Sequence, residues 1–301
     1  MTVSVFRSWF QALRPAQWLK NGVVLAAYFF AWADASQSAH VRGWLPPVVA
    51  VAAAALFCCA SSGIYLINDV RDREADRTHP VKRLRPLAAG LIRPQSAVGV
   101  AACLLFASLA GAAALSRAFA LVLGGYCLMQ IVYTLALKRI AYVDVFIIAA
   151  GFVLRAISGA VVLLVRISPW LLLCTFLLAL FLALCKRRHE KILLDDAGES
   201  HRAALSGYDR GLLDIQIGIT SSATVVCYSI YTLSAETVQR FGTDRLGLTI
   251  PFVVFGIFRY LDLVYRHEEG GRPERVLLTD KVMIATLVCY CLTALIVFLT
   301  A

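Results

Sequence analysis

Runs of apolar residues long enough to cross a bilayer alternate with polar connections along the 301-residue chain. Nine such runs can be drawn: Leu19–Trp32, Trp44–Ile67, Ser96–Leu115, Ala118–Leu137, Val143–Val165, Pro169–Cys185, Leu213–Leu233, Leu246–Val264 and Val282–Thr300. A hydrocarbon core about 30 Å thick takes about 20 residues of α-helix. The pattern therefore predicts an all-α, polytopic membrane helix bundle of about nine transmembrane helices. The first run is the weakest, being short and broken by Lys20 and Asn21, so the count stands at eight or nine. Residues 1–301 read as a single integral-membrane domain with two long polar loops, at about 68–95 and 186–212.

Composition supports the membrane reading. Hydrophobic residues make up 60% of the chain and charged residues 16%, against about 45–50% and about 25% in soluble domains. Met1–Arg14 lacks the long apolar stretch and small-residue cleavage site of a signal peptide, so the helices themselves are expected to direct insertion. The nine cysteines form no C-x-x-C pair, which argues against a zinc or redox motif.

The net charge of +10 is sorted by topology. Alternate connections hold Arg71 to Arg93, then Lys138 and Arg139, then Lys186 to Arg210, then Arg266 to Lys281. The opposite connections hold only Arg42, Arg117, Arg166, Arg240 and Arg245. The positive-inside rule places the N-terminus and both long loops in the cytoplasm of a cell with an inner membrane, and the C-terminus outside. Nucleic acid is not needed to explain the charge.

The first long loop begins with Asn68-Asp69-Val-Arg-Asp72-Arg-Glu-Ala-Asp76. Asn68, Asp72 and Asp76 recur every fourth residue and share a helix face, with Asp69 on its flank. Carboxylates so placed repel one another unless a cation lies between them. Hard oxygen ligands with open positions suit Mg²⁺, which completes its shell with water and substrate phosphates. Lys82, Arg83 and Arg85 follow and offer donors for phosphate oxygens. The plainer alternative is a solvated helix end in which Arg71, Arg73 and Arg77 pair with the acids at helical spacing.

The pattern N-D-x-x-D-x-x-x-D followed by a basic Arg-Pro stretch resembles the first aspartate-rich motif of the UbiA superfamily of intramembrane prenyltransferases. The resemblance implies nine helices, two cytosolic polar loops and Mg²⁺-diphosphate chemistry, with Asn68, Asp69, Asp72 and Asp76 as metal ligands and catalytic residues. It extends over most of the chain. Prenyl-transferring members carry a second aspartate-rich motif after the sixth helix. Here that place holds Lys186-Arg187-Arg188-His189-Glu190-Lys191, with only the adjacent Asp195 and Asp196 beyond.

A basic segment binds anions directly through Arg and Lys donors. A Mg²⁺-diphosphate with a further separate phosphate describes phosphoribosyl diphosphate. Lys186, Arg187 and Glu190, with the stretches Arg14–Asn21, Tyr65–Gly90, Tyr133 with Lys138, Leu154–Ile157 and Leu205–Tyr208, are similar to the decaprenyl-phosphate phosphoribosyltransferase branch. That branch implies transfer of phosphoribosyl to a polyprenyl phosphate with release of pyrophosphate, a step towards lipid-linked arabinose donors. Lys20, Tyr133, Lys138, Arg155 and Tyr208 join the expected phosphate-binding set. Arg155, deep in an apolar run, binds phosphate or else pairs with Asp144; Tyr133, Lys20 and Lys138 equally suit interfacial anchoring. Glu190 is expected to orient the cations, ligate a metal or bond a ribose hydroxyl. The competing readings are a UbiA-type prenyltransferase acting on an aromatic or other acceptor, and a transporter or lipid-binding protein without chemistry. Chain length of the lipid and oligomeric state are not encoded legibly.

Overall fold

The structure, a computed structural model, describes residues 5–78, 81–197, 207–267, 269–271 and 273–300, with backbone alone for 194–197 and 269. The described residues contain helices and no strand. In order these are α1 (Val5–Ala12), a 3₁₀ segment (Pro15–Gly22), α2 (Val23–Ala33), α3 (Ser38–Val41), α4 (Leu45–Arg71) and α5 (Arg73–Thr78). Then come α6 (Pro94–Leu115), α7 (Arg117–Leu135), α8 (Val143–Leu163), α9 (Pro169–Ala197) and α10 (Arg210–Leu233). The chain closes with α11 (Ala235–Phe241), α12 (Ile250–Arg266), α13 (Pro273–Thr279) and α14 (Lys281–Leu299).

Among the described residues, eight helices are long and apolar enough to span a membrane: α4, α6, α7, α8, α9, α10, α12 with the turn before it, and α14. The chain is a multi-pass membrane protein. The first apolar run is a broken helix. Its 8-residue 3₁₀ segment and 11-residue α-helix together rise about 32 Å, enough for a ninth crossing. Local chemistry sets the helix starts. Proline occupies the first turn of α4, α6 and α12, where a missing N–H is harmless. Ser116, Asp209, Ser234 and Asp280 cap α7, α10, α11 and α14 through their side-chain oxygens.

Packing divides the chain into two compact units. The first comprises Met1–Ala27, Trp44–Ala136 and Leu154–Leu164. Its core joins Ala12, Leu66, Leu87, Ile92, Ala97 and Ala101, with Trp9 and Leu13 against it. Leu87 and Ile92 thus pin the basic segment after α5 beneath the end of α4. Gly159 permits backbone contact between α8 and α2, since a Cβ there would lie 2.0 Å from the Val24 carbonyl oxygen.

The second unit comprises Tyr28–Gly43, Leu137–Val153 and Val165–Ala301. Phe181, Leu184, Cys185, Leu213, Ile217, Tyr260 and Leu263 centre its core. Here α9 runs 29 residues, about 44 Å, well beyond the bilayer thickness. Lys186–Lys191 therefore lie on helix, not in the loop drawn from the sequence. The cause is packing: Arg187, Arg188 and Ile192 are buried, so the helix keeps a protein face after its apolar run ends.

Candidate active site

In the first unit, α4 carries Asn68 and Asp69 directly after the apolar run and is closed by Asp72, whose φ of −90° and ψ of 3° leave the helical region. α5 resumes at Arg73. Hydrogen bonds from Asp72 N to Asn68 O (2.9 Å) and Asp76 N to Asp72 O (2.8 Å) carry the chain through the break. Asp69 and Asp76, seven residues apart on either side of this break, come to one side of the chain, where they share a partner. Both are buried, while Asn68 and Asp72 are half-buried. Asp69, placed on the flank by the sequence pattern, lies at the centre.

The partners of these acids come from elsewhere in the chain. Arg85 Nη1 lies 2.6 Å from Asp76 Oδ2 and 3.2 Å from Asp69 Oδ1. Arg14 Nη2 pairs with the same Asp69 oxygen, and its guanidinium sits 4.9 Å from the centre of the Tyr65 ring. Arg14 adopts φ 55°, ψ 58° at the head of the 3₁₀ segment, a conformation L-residues disfavour. The arginines at helical spacing turn away. Arg71 donates to Leu135 O (2.8 Å), Arg73 to Leu87 O (3.4 Å), and Arg77 to both Glu74 oxygens. Local pairing thus does not account for Asp69 and Asp76. Lys82 and Arg83 form a 3₁₀ turn just before Arg85.

Arg155 lies buried in α8. Its Nε donates to Asn21 Oδ1 and its Nη2 to Tyr126 Oη, both at 2.8 Å, with the Tyr126 ring centre 4.8 Å away. Asn21 donates in turn to Ser61 Oγ (3.2 Å), and Trp18 Nε1 donates to Ser62 Oγ (3.0 Å). Lys20 and Tyr133 are half-buried on the 3₁₀ segment and on α7.

In the second unit, Asp144 at the start of α8 takes Arg187 Nε at 2.7 Å. Asp144 is thus the counter-ion of Arg187, the role the sequence pattern had offered to Arg155. Arg187 also pairs with Glu190. Tyr208 Oη donates to Asp144 Oδ1 (2.6 Å) and accepts from Tyr142 N (2.8 Å). Burial, reinforced by the bond to Asp144, pushes the Tyr208 hydroxyl above its ordinary pKa and keeps it a donor. Tyr142, with φ 67°, is held by that contact. Arg188 pairs with Asp214 (2.6 Å) and lies 4.0 Å above the Tyr265 ring. Lys186 and Lys138 are half-buried. The side chains of Asp195 and Asp196, and residues Leu205 and Ser206, fall outside the described residues.

The acids of the first unit fit Mg²⁺ shared with a diphosphate. Among the described residues no three His, Cys, Asp or Glu side chains close into a metal cage. Asp69 and Asp76 are instead close enough to share one cationic nitrogen, and Mg²⁺ in phosphate sites takes only one or two carboxylates. The sequence pattern did not reveal Tyr126, offered Asp144 to Arg155 in place of Arg187, and gave Arg14 and Asn21 only as part of one matching stretch.

The chain is similar to the decaprenyl-phosphate phosphoribosyltransferase of Mycolicibacterium smegmatis, 36% identical over 284 residues that cover 91% of this chain and 86% of the relative. It is likewise 36% identical over 279 residues to the enzyme of that name from Corynebacterium glutamicum, covering 91% of this chain and 81% of the relative. A UbiA homolog from Archaeoglobus fulgidus, solved bound to GPP and Mg²⁺, superposes with a TM-score of 0.71 at 21% identity, over 94% of this chain and 97% of that one. Residues 23–276 match the UbiA prenyltransferase family. With its bundle of membrane-spanning helices, its paired aspartates and that near full-length match, the chain belongs to the UbiA prenyltransferase family.

Proposed function

We propose that the chain transfers a phosphoribosyl group from phosphoribosyl diphosphate to a polyprenyl phosphate, releasing pyrophosphate. The observation that carries this reading is the likeness, over nine-tenths of the chain, to enzymes named for that reaction. Two features agree with it: the paired aspartates of the first unit, and a basic segment on α9 where prenyl-transferring members carry acids.

Asn68, Asp69, Asp72 and Asp76 hold the Mg²⁺, which when bound neutralises the leaving diphosphate. Arg14, Arg85, Lys82 and Arg83 supply donors to its phosphate oxygens. The bond from ribosyl C1 to the diphosphate oxygen breaks with its electron pair. A phosphate oxygen of the lipid forms the new bond to C1. That oxygen is already anionic at neutral pH, so no strong base is needed, and rate comes from positioning and electrostatics. Lys20, Tyr133, Lys138, Arg155 and Tyr208 are further phosphate contacts in this reading, Lys186 and Arg187 serve the 5-phosphate, and Glu190 orients the cations. The acidic and basic segments face the cytoplasm of the inner membrane.

Purified protein given Mg²⁺, phosphoribosyl diphosphate and a polyprenyl phosphate should release pyrophosphate and form a lipid-linked pentose phosphate. Turnover of a prenyl diphosphate with an aromatic acceptor, and none of phosphoribosyl diphosphate, would replace this reading with the prenyltransferase one.

A further inference from the structure

Arg85 bridges the two buried aspartates of the first unit. Its Nη1 lies within 2.6 Å of Asp76 and 3.2 Å of Asp69, and both bonds leave from that single nitrogen. The guanidinium fork, suited to gripping one carboxylate by two bonds, is used here as a point cation between two. Asp69 and Asp76 have side chains only 2% and 6% exposed, whereas that of Arg85 is 28% exposed. Two buried carboxylates this close repel each other unless a cation lies between them.

Arg14 cannot play the same part. It touches only Asp69 of the pair, and it is fixed by its left-handed backbone and by the Tyr65 ring. Arg85 leaves a short 3₁₀ turn with extended backbone, φ −65° and ψ 141°. Pro86 and the buried Leu87 follow it and anchor the chain just beyond. Its attachment is firm while its side chain reaches inward from a half-open position.

We infer that Arg85 is an exchangeable counter-ion, holding Asp69 and Asp76 in the resting protein and moving onto the diphosphate when the metal arrives with it. The inference rests on the Mg²⁺-diphosphate reading above and deepens it. With a divalent cation held by these aspartates, the guanidinium would be repelled and would need a new anion. The incoming diphosphate is that anion. Metal alone must displace Arg85 with nothing to receive it, so metal and diphosphate favour each other's binding through this side chain. By linkage the coupling is reciprocal.

The test measures Mn²⁺ binding by electron paramagnetic resonance of the free ion, and pyrophosphate binding at saturating Mn²⁺. Arg85→Met should bind Mn²⁺ alone about tenfold more tightly than the wild type, and pyrophosphate about tenfold more weakly, the size of one charge-assisted bond. The Arg77→Met control should match the wild type in both. A strut with a purely structural role gives weaker Mn²⁺ binding in Arg85→Met, or no change, and either result overturns the exchange. Tighter Mn²⁺ with unchanged pyrophosphate affinity also overturns it, because the side chain then never reaches the diphosphate. Should Arg85→Met fail to fold, Arg85→Lys carries the test. Its compact ammonium spans the two carboxylates poorly, so both shifts keep their sign at smaller size, and wild-type behaviour overturns the proposal. A wild-type protein that binds neither probe instead sinks the diphosphate reading itself.

Discussion

Asp144 is fully buried and is held by Arg187 at 2.7 Å and by the Tyr208 hydroxyl at 2.6 Å. Arg187 itself is 2% exposed. Removing one partner of such a pair strands the other charge, a loss of about 3–5 kcal/mol. Arg187→Ala should therefore lower the thermal midpoint in detergent, and the Asp144→Asn, Arg187→Met double variant should recover most of it. A midpoint unchanged in Arg187→Ala, with only the donor KM raised, would show a plain phosphate ligand instead. The identity of Arg187 as a special residue was legible from its motif, but its surroundings were not. Its partner Asp144 comes from the start of another helix, far earlier in the chain, and the pairing depends on two helices meeting. The same holds for Asp69. The spacing of the acids announced a shared face, whereas Arg14, 55 residues away, could be assigned to it only by the fold.

Among the elements, α8 lies with Gly159 directly against the backbone of α2. With a Cβ placed 2.0 Å from a backbone oxygen, Gly159→Ala forces the two helices apart. Overpacking of this kind costs about 1–3 kcal/mol and at times more. Gly125, on α7, has nothing within 4 Å of its would-be Cβ, so Gly125→Ala should be neutral or mildly stabilising. Thermal unfolding of the two variants side by side checks the contrast; equal loss in both would mean that helix propensity, not contact, governs. The helices of the bundle could be read from apolar runs, and their starts from proline and capping residues. The far end of α9 could not. Lys186–Lys191 looks like loop by hydropathy, yet Arg187 and Arg188 find acidic or aromatic partners, and hydropathy cannot see partners.

For the whole molecule, nine crossings would leave the two ends on opposite sides. The charge asymmetry predicts that the N-terminal end and both polar segments lie in the cytoplasm. In a cysteine-free background, a cysteine replacing Arg93 should stay shielded from an impermeant thiol reagent added outside, and one replacing Thr300 should react. The reverse pattern would invert the topology. The broken first crossing bears on how the chain is made. Asn21, buried in that segment, is bonded by Arg155, 134 residues later. At about 5–20 residues per second, the ribosome delivers that partner roughly 7–27 s after Asn21. The earliest crossing thus meets α4 early, through Ser61 and Ser62, but gains its bond from Arg155 only once α8 is made. Nascent chains halted at Val153 should be cleared by membrane proteases faster than chains halted at Leu164, and pulse-chase decay of the two truncations would show it. Equal lifetimes would mean that the first segment holds its place unaided.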